Sequence, residues 1–252
     1  MKKLNLQMKK KRKLPKRIKM KKNLNKKIEF EEYEKALHDM GFSCVCGVDE
    51  VGRGPWAGPI VAAATIISQI SNLKSQNLGI ADSKKLNEQQ REIIFEELIK
   101  NKDIIYSIAS ISSAEIDEIG LGNANQLVLK RAVEGLVKKS DYALVDGFLI
   151  KDLNIKQERV IKGDQKVLSI AAASIIAKVT RDRYMIELSK KYPEYGFENH
   201  KGYGTVKHVE ALKKLGVCPE HRKLFKPIST LSSPSTVVLN SKSGIHNNKN
   251  IY

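Results

Sequence analysis

Five short apolar runs, separated by turn residues and helical patterns, constrain the fold of this chain more than any other feature of its sequence. The first three runs follow one another with a single helical pattern between them, whereas helical patterns surround the last two. This order predicts an α/β protein in which helices flank one mixed five-stranded sheet. The runs occupy residues 43–50, 60–67, 103–112, 142–148 and 158–163.

Helical patterns fill most of the intervals between these strands. The clearest start is Asn87, which has Gln90 three positions later, as in a capping box. The segment 167–191 contains SIAAASIIAK, whose small side chains allow a helix to lie close against a sheet. Further helices are predicted at residues 125–139 and 205–216, with a short one capped by Ser112 or Ser113.

The charge of the chain is concentrated at its N-terminus. Residues 1–27 carry twelve Lys and two Arg without an acid, which leaves +3 of the formal +17 for all other residues. Such arms stay unfolded through self-repulsion and bind polyanions, above all nucleic acids, although a purely solubilising leader has the same composition. We therefore predict a basic disordered arm at 1–27, a folded domain at 28–228 and a disordered Ser/Asn-rich tail at 229–252.

The sequence shows no secretory or membrane-spanning signal. The Lys-rich arm is not followed by an apolar segment, and no run of eighteen apolar residues occurs. A transit peptide is disfavoured, because the arm has no Ser and far more Lys than Arg. The three cysteines, Cys44, Cys46 and Cys218, form no CxxC pair and suit a reducing cytoplasm. We expect all three to be buried in the folded protein.

Acidic residues follow three of the predicted strands. Asp49, Asp146 and Asp164 each stand where an apolar run reaches its carboxyl end, and Glu50 follows Asp49 directly. In an open α/β sheet, binding sites form at this edge. Taken singly, Asp164 could cap the long helix, and Asp146 with Gly147 could form a plain turn. Four acids at one edge repel one another unless cations neutralise them, so the pattern favours a metal site.

The predicted ligand set consists only of hard oxygen donors, which select Mg²⁺ or Mn²⁺ rather than zinc. Two such ions, about 4 Å apart, can activate a water and stabilise the leaving oxyanion of a phosphodiester. Adjacent residues of a regular strand point to opposite faces, so Asp49 and Glu50 can face one site only if the strand bulges or ends there. Glu50 could instead contribute its main-chain carbonyl.

Glycines and an arginine come directly after the acidic pair, in the stretch VGRGPWAGP. Gly52 and Gly54 lack a Cβ, which lets the backbone take unusual dihedral angles and approach a ligand closely. Exposed backbone groups there could hydrogen-bond a ribose 2′-hydroxyl, and Arg53 could bind a phosphate. A tight turn between two strands would also explain a GxG, but its position between DE and PWAGP favours a loop that contacts substrate.

Several blocks of the sequence together resemble the ribonuclease HII family. They are GVDEVGRGPWAGPIVAAA, DSKKL, LVDG, IKGDQKVLSIAAASIIAKVTRDR and HKGYGTVKHVEAL…GVCPEHRKLF, in this order between residues 41 and 227. The resemblance implies a ribonuclease H-like fold with a helical C-terminal part. It also implies cleavage of the RNA strand of RNA–DNA hybrids and incision 5′ of single ribonucleotides in duplex DNA, which would leave 3′-hydroxyl and 5′-phosphate ends.

The resemblance also implies roles for individual residues. The catalytic residues, which would hold two Mn²⁺ or Mg²⁺ ions, are Asp49, Glu50, Asp146 and Asp164. The substrate-binding residues are Gly52, Arg53 and Gly54 at the 2′-hydroxyl, Tyr203 on the next sugar, and Ser83, Lys84 and Lys85 at phosphates. By composition alone, Tyr203 would be a core or turn tyrosine and DSKKL a solvated loop. Arg181 and Arg183 look like surface charges that could touch DNA, and the five histidines show no ligand spacing.

Three other interpretations stay open on the sequence. A ribonuclease HIII-like enzyme typically has Lys in place of Arg53 and a folded N-terminal domain, for which residues 1–40 are short and polar. Another nuclease of the same fold, such as a junction resolvase, would share the acids but not GRG and KGYGT. A non-catalytic nucleic-acid-binding protein would explain the basic arm but not the acids. We expect a monomeric, cytoplasmic enzyme whose partners are RNA–DNA hybrid and ribonucleotide-containing duplex DNA.

Overall fold

The computed structural model describes residues 32–68, 80 and 86–231, and the structural statements below concern these ranges. The basic arm, the chain beyond residue 231 and the predicted phosphate contacts Ser83, Lys84 and Lys85 lie outside the described residues. The functions expected of these segments stay predictions.

A mixed five-stranded sheet forms the centre of the molecule. Its strands are β1 (Val45–Val51), β2 (Ile60–Ile67), β3 (Ile104–Ile111), β4 (Tyr142–Asp146) and β5 (Lys156–Val160). They lie in the order β3-β2-β1-β4-β5; β2 is antiparallel to β1 and β3, whereas β4 is parallel to β1 and β5. The predicted mixed sheet is confirmed. β5 ends earlier than expected, because Lys162 takes a left-handed conformation (φ 54°) that a strand does not contain.

Helices precede, separate and follow the strands. In chain order, the described helices are α1 (Glu32–Asp39), α2 (Glu88–Lys100), α3 (Ser113–Ile119), α4 (Leu121–Glu134), α5 (Leu168–Lys191), α6 (Phe197–His200), α7 (Val206–Leu215) and α8 (Ile228–Leu231). The predicted capping box of Asn87 and Gln90 opens α2, and a second one joins Ser112 to Glu115 at α3. Within the described ranges, no helix combines the length and hydropathy needed to cross a membrane.

Helix boundaries also differ from the sequence-based prediction, and β4 ends at Asp146, two residues before the predicted end. α4 covers Leu121–Glu134 instead of 125–139, because Gly120 (φ 80°) separates it from α3 and Gly135 caps its C-terminal end. α8 begins at the last residue of the predicted folded domain and extends into the predicted tail as far as Leu231.

Helices cover both faces of the sheet. α4 packs on one face against β1, β2 and β3, and α5 packs on the other face against β1 and β2, with α2 beside it. The contact between α5 and β1 is close: a Cβ on Gly47 would lie 2.3 Å from the backbone of Ser169 and Ile170. The small residues predicted to bring this helix against the sheet therefore place α5 directly beside the strand that carries Asp49 and Glu50.

The N-terminal end of α5 receives its cap from another helix. Val167, the cap residue of α5, offers no side-chain hydrogen bond. The buried Glu34 of α1 instead accepts hydrogen bonds from the main-chain N–H of Ser169 (3.0 Å) and from its hydroxyl (2.8 Å). A carboxylate at this position also complements the positive end of the helix dipole. α1 is thus joined to the layer that positions the acids.

The C-terminal helices form a smaller core of their own. Phe197, Met185 and Leu212 are buried in it, and the partly buried Trp56 from the loop after β1 packs against it. An isolated β-bridge between Ala57 and His221 joins the same loop to the C-terminal part. The helical C-terminal part therefore holds the glycine-rich loop that follows the acidic pair.

The cysteines behave as predicted. Cys44, Cys46 and Cys218 are all buried free thiols. Burial raises the pKa of Cys46 to about 12, which keeps this thiol protonated and unreactive.

Candidate active site

The carboxyl ends of β1 and β4 lie side by side. Val48 of β1 pairs with Val145 of β4, so the next residue of each strand, Asp49 and Asp146, are neighbours at this edge. Glu50 follows on β1 and lies close enough to Asp146 for their charges to interact. The topology therefore brings three of the four predicted acids to one edge of the sheet.

Asp49 and Glu50 lie on opposite faces of the sheet. Both belong to β1, which pairs with β2 in regular register from Cys46 to Val51, without a bulge. Asp49 accepts a hydrogen bond from the hydroxyl of Ser174 in α5, whereas Glu50 accepts one from the side-chain amide of Asn125 in α4. The strand neither bulges nor ends between the two acids, so they keep the alternation of an ordinary strand.

Burial and mutual repulsion destabilise both acids as anions. Burial raises the pKa of Asp49 well above its usual range; the hydrogen bond from Ser174 opposes this, and the charges of Glu50 and Asp146 add to it. Burial likewise raises the pKa of Glu50 to about 6, although the Arg53 guanidinium, 3.6 Å from its carboxylate, opposes the shift. A cation at this edge would oppose both shifts, because it favours the charged form of each acid.

Asp146 and Asp164 are linked through a turn. The carboxylate of Asp146 accepts a hydrogen bond of 2.7 Å from the main-chain N–H of Gly163, and Asp164 is buried in the 3-10 turn Gly163–Gln165. Asp164 is not the cap residue of α5, which is Val167. The simple explanation of Asp164 as a helix cap is therefore not what the structure shows.

The acidic edge fits a divalent cation by the chemistry of its donors. Every candidate ligand is a hard oxygen, and Oε2 of Glu50 is buried without a hydrogen-bonding partner among the described residues. However, no three His, Cys, Asp or Glu side chains in the described ranges already surround one point as metal ligands.

The glycine-rich loop contacts both the acids and the C-terminal part. Gly52 takes φ +95°, and a Cβ there would lie 2.4 Å from Nε of Arg181. A Cβ on Gly54 would instead lie 3.7 Å from the ring of Tyr203, with no other neighbour within 4 Å. The backbone at Gly54 is therefore open apart from this ring. Arg53 lies between the two glycines and is exposed.

The expectation that Arg181 is a surface charge is wrong. Its side chain is fully buried and donates hydrogen bonds to the carbonyls of Pro59 (2.9 Å), Lys201 (3.0 Å) and Ala57 (3.1 Å). Arg181 follows Ser174 by seven residues, or about two helical turns, so both lie on the face of α5 that is turned towards the sheet. This spacing was the signal in the sequence that could have identified both residues.

Arg222 is a second buried arginine, and sequence reasoning missed it. It donates hydrogen bonds to the carbonyls of Gly52 (2.5 Å), Arg53 (3.1 Å) and Gly58 (3.0 Å). Burial and the neighbouring charge of Arg181 lower the pKa of Arg222 to about 9, so it stays charged at neutral pH. Nothing in the segment PEHRKLF distinguishes it from a surface arginine. Together the two arginines fix the backbone of the glycine-rich loop.

Tyr203 lies beside Gly54 of the glycine-rich loop. Its side chain is 41% exposed, which rules out a purely core tyrosine. Its ring faces Gly54, and the Arg181 guanidinium lies 6.0 Å from the ring centroid. An exposed aromatic face beside an open backbone is suited to stacking against a nucleotide.

Comparison with known proteins decides the family. A family model described as ribonuclease HII matches residues 46–228. The chain belongs to the ribonuclease HII family. The ribonuclease HII of Caldicellulosiruptor bescii is 50% identical over 196 residues, which cover 78% of this chain and 92% of that relative.

Solved structures agree with this assignment. The ribonuclease H2 of Pyrococcus horikoshii OT3 superposes with a TM-score of 0.64 at 31% identity, and covers 75% of this chain and 96% of that one. Bst-RNase HIII, solved in complex with Mn²⁺, shares the fold at 20% identity with a TM-score of 0.59, over 78% of this chain and 71% of that one.

Membership in the ribonuclease HII family has direct consequences. The chain is a ribonuclease H, which is a hydrolase that acts as an endonuclease, and its family acts on RNA–DNA hybrids. A non-catalytic nucleic-acid-binding protein is thereby excluded. The ribonuclease HIII-like alternative loses its support as well, because the family model that matches is that of ribonuclease HII.

Proposed function

We propose that this ribonuclease HII-family chain cuts the RNA strand of hybrids and also incises duplex DNA on the 5′ side of a single ribonucleotide, leaving 3′-hydroxyl and 5′-phosphate ends. One observation carries the proposal: the acidic edge and the glycine-rich loop are adjacent, with Glu50 and Arg53 in an ion pair of 3.6 Å. A group that can be hydrolysed next to the acids would therefore have its sugar beside the open backbone of the loop.

The acids would hold Mn²⁺ or Mg²⁺. The residues concerned are Asp49, Glu50, Asp146 and Asp164, all of which offer the oxygen donors that these ions prefer. When bound, two such ions would lower the pKa of a water and stabilise the negative charge that develops on the leaving 3′ oxygen. Burial raises the pKa of Asp49 and of Glu50, so cation binding would weaken as pH falls and protons compete for their oxygens.

The loop and Tyr203 would select the sugar. The backbone of Gly52 and Gly54 would hydrogen-bond the ribose 2′-hydroxyl, which DNA lacks. Arg53, which is exposed and contacts Glu50 and the ring of Phe148 at 4.6 Å, could turn to a phosphate. Tyr203 would stack on the sugar of the next nucleotide and favour deoxyribose there.

A nicking assay tests the proposal. The substrates are a labelled DNA duplex with one internal ribonucleotide, the same duplex with a 2′-O-methyl ribonucleotide, an all-DNA duplex and an RNA–DNA hybrid. We expect one cut 5′ of the ribonucleotide in the first duplex, cleavage of the hybrid and no cut in the other two. Cleavage of the hybrid alone would refute the single-ribonucleotide activity, and cutting of all-DNA duplex would refute the role of the 2′-hydroxyl.

The basic arm would add affinity without adding selectivity. It carries fourteen of the positive charges, and neutralised phosphates release counterions, so binding should weaken as salt rises. Removing residues 1–27 should weaken duplex affinity and flatten its salt dependence, with the same cleavage position. An unchanged slope of affinity against salt in a titration of both proteins would show that the arm does not contact the nucleic acid.

A further inference from the structure

A cluster of three buried histidines lies directly behind Tyr203. The histidine cluster consists of His200, His208 and His221, all less than 9% exposed. The rings of His200 and His208 stack with centroids 4.4 Å apart, and the Nε2 atoms of His208 and His221 are 3.0 Å apart. The cluster lies outside the acidic edge: in the part of the chain that the structure describes, its ring nitrogens bond to the carbonyls of Tyr195 and Tyr203 and to one another.

The main chain of Tyr203 fixes the proton positions of two of these histidines. Its carbonyl can only accept, so Nδ1 of His208, 3.0 Å away, must donate to it. In a neutral ring, Nε2 of His208 is then an acceptor, and Nε2 of His221 must donate to it. The remaining nitrogen of His221, Nδ1, is left to accept the main-chain N–H of Cys218 at 2.9 Å. Each bond in this chain determines the next.

Burial keeps the chain of hydrogen bonds in its neutral form. Burial lowers the pKa of His208 to about 4, with the nearby His200 acting in the same direction. Burial and the neighbouring His208 lower the pKa of His221 to about 4. A proton added to either ring would place two N–H groups face to face and break the bond between them. At neutral pH the series of hydrogen bonds that joins Cys218, His221, His208 and Tyr203 is therefore intact.

Both sides of the Tyr203 peptide are thus fixed. Its N–H donates to the carbonyl of His200 at 2.9 Å, and its carbonyl accepts from the main-chain N–H of Thr205 at 2.8 Å as well as from Nδ1 of His208. His221 is also bridged to Ala57, which belongs to the glycine-rich loop. The histidine cluster therefore connects the backbone that carries the Tyr203 ring to the loop that this ring faces.

We propose that His208 and His221 are positioning residues: their hydrogen-bond chain holds the Tyr203 ring over Gly54 and thereby sets the preference for a deoxyribose after the ribonucleotide. The inference rests on the proposed function, since it assumes that Tyr203 contacts that sugar. Neither histidine is placed to touch substrate, because both are buried. Loss of these hydrogen bonds should leave the positions of the four acids unchanged and should alter the position of the Tyr203 ring.

Two matched substitutions of His208 separate this role from packing alone. In His208→Asn the amide nitrogen replaces Nδ1 and keeps the bond to Tyr203, whereas in His208→Gln the amide replaces Nε2 and loses it. We expect His208→Gln to lower kcat/KM on the single-ribonucleotide duplex by about tenfold, and His208→Asn by less than about threefold. Equal effects of the two variants would overturn the proposal.

The corresponding two substitutions of His221 provide a second test in case a His208 variant does not fold. His221→Gln keeps a donor at the Nε2 position and should retain the preference, whereas His221→Asn breaks only the bond to His208, as His208→Asn does, and should likewise lower kcat/KM by less than about threefold. Urea unfolding of all four variants shows which are folded, and kcat and KM are compared only among those. A preference that follows protein stability instead of the donor position would overturn the proposal.

The decisive measurement is a double-mutant cycle with Tyr203→Ala. The quantity compared is the ratio of kcat/KM for substrates with deoxyribose or ribose after the cleaved ribonucleotide. If His208 acts through Tyr203, His208→Gln should change this ratio when Tyr203 is present, but not when it is replaced in Tyr203→Ala. The same change in both backgrounds would refute the inference and leave the proposed function standing. Failure of the wild type to incise at a single ribonucleotide would refute the proposed function itself, and with it the basis of the inference.

Discussion

The acidic edge and the glycine-rich loop lie next to each other, yet they are organised in opposite ways. In the loop, two fully buried arginines donate to the carbonyls of residues 52, 53 and 57–59. At the acidic edge, burial raises the pKa of Asp49 and Glu50, and Oε2 of Glu50 has no hydrogen-bonding partner among the described residues. The backbone of the loop is thus held by buried donors, whereas the acids lie in surroundings that disfavour their negative charge.

The difference follows from the groups that each region contains. A loop with two prolines and three glycines between residues 52 and 59 cannot pair its own carbonyls, so side chains must supply the donors. Arginine is suited to this, because its planar fork satisfies several carbonyls at once. A metal site gains affinity from the opposite state, because acids that repel one another are stabilised most by an added cation.

The largest expected effect separates catalysis from stability. Asp49→Asn should lower turnover on the single-ribonucleotide duplex at least about 100-fold, because a ligand for the cations is lost. It should leave the free energy of unfolding equal or higher, because repulsion from Glu50 and Asp146 is relieved. Nicking rates at saturating Mg²⁺ or Mn²⁺ and urea unfolding measure the two quantities.

Asp141→Asn is the matched control. Asp141 precedes β4 at the opposite end of the strand and accepts hydrogen bonds from Ser43 and from the main-chain N–H of Cys44 (3.0 Å). This variant should lose stability and keep its turnover, the reverse of Asp49→Asn. Near-normal incision by Asp49→Asn at saturating metal would show that the acidic edge is not the metal site.

The next largest effect tests the fixed side of the comparison. Arg222→Met would leave the carbonyls of Gly52, Arg53 and Gly58 without their buried donor, so we expect the free energy of unfolding to fall by about 2–4 kcal/mol. Arg222→Lys should lose less, since an ammonium can still reach some of the carbonyls. Urea unfolding measures the loss. A loss below about 1 kcal/mol in Arg222→Met would mean that the loop does not depend on this arginine.

A smaller effect concerns pH. The folded pKa of His208 and His221 is about 4, against an ordinary value of 6.5, so between these values the unfolded chain binds more protons. Their contribution to stability is therefore complete above pH 6.5 and is lost as pH falls towards 4. We expect the free energy of unfolding to decrease by on the order of 2 kcal/mol between pH 7 and pH 5.

The control for this pH dependence is the double variant His208→Gln with His221→Gln, unfolded by urea at the same two pH values. Asp49 and Glu50 act in the opposite direction, because their raised pKa favours the protonated folded state at low pH. They are present in both proteins, so the difference between the two curves isolates the histidines. Parallel curves would refute the contribution of the histidine cluster.

The sheet and the position of the acids could be predicted because each rests on a local pattern. Strand ends are marked by glycine and acid, and the parallel pairing of β1 with β4 follows from the order of elements. The hydrogen bonds that Arg181 and Arg222 donate to the carbonyls of the glycine-rich loop could not be predicted in this way. It depends on which carbonyls lack a partner in three dimensions, and Arg181 and Arg222, 41 residues apart in the chain, meet only in the folded molecule.

Arg181 and Arg183 provide the smallest and most direct test of this difference. They are two residues apart on α5 and have the same local sequence character, but Arg183 is exposed and pairs with Glu92 (2.5 Å) and Glu96 (2.8 Å). Arg183→Met should therefore change the free energy of unfolding by less than about 1 kcal/mol, since exposed ion pairs contribute little and are screened by salt. Arg181→Met, which leaves three buried carbonyls without a donor, should cost several times more. Urea unfolding of both variants at low and high salt measures the contrast. Equal losses of stability would show that burial of the guanidinium does not determine how much each arginine contributes.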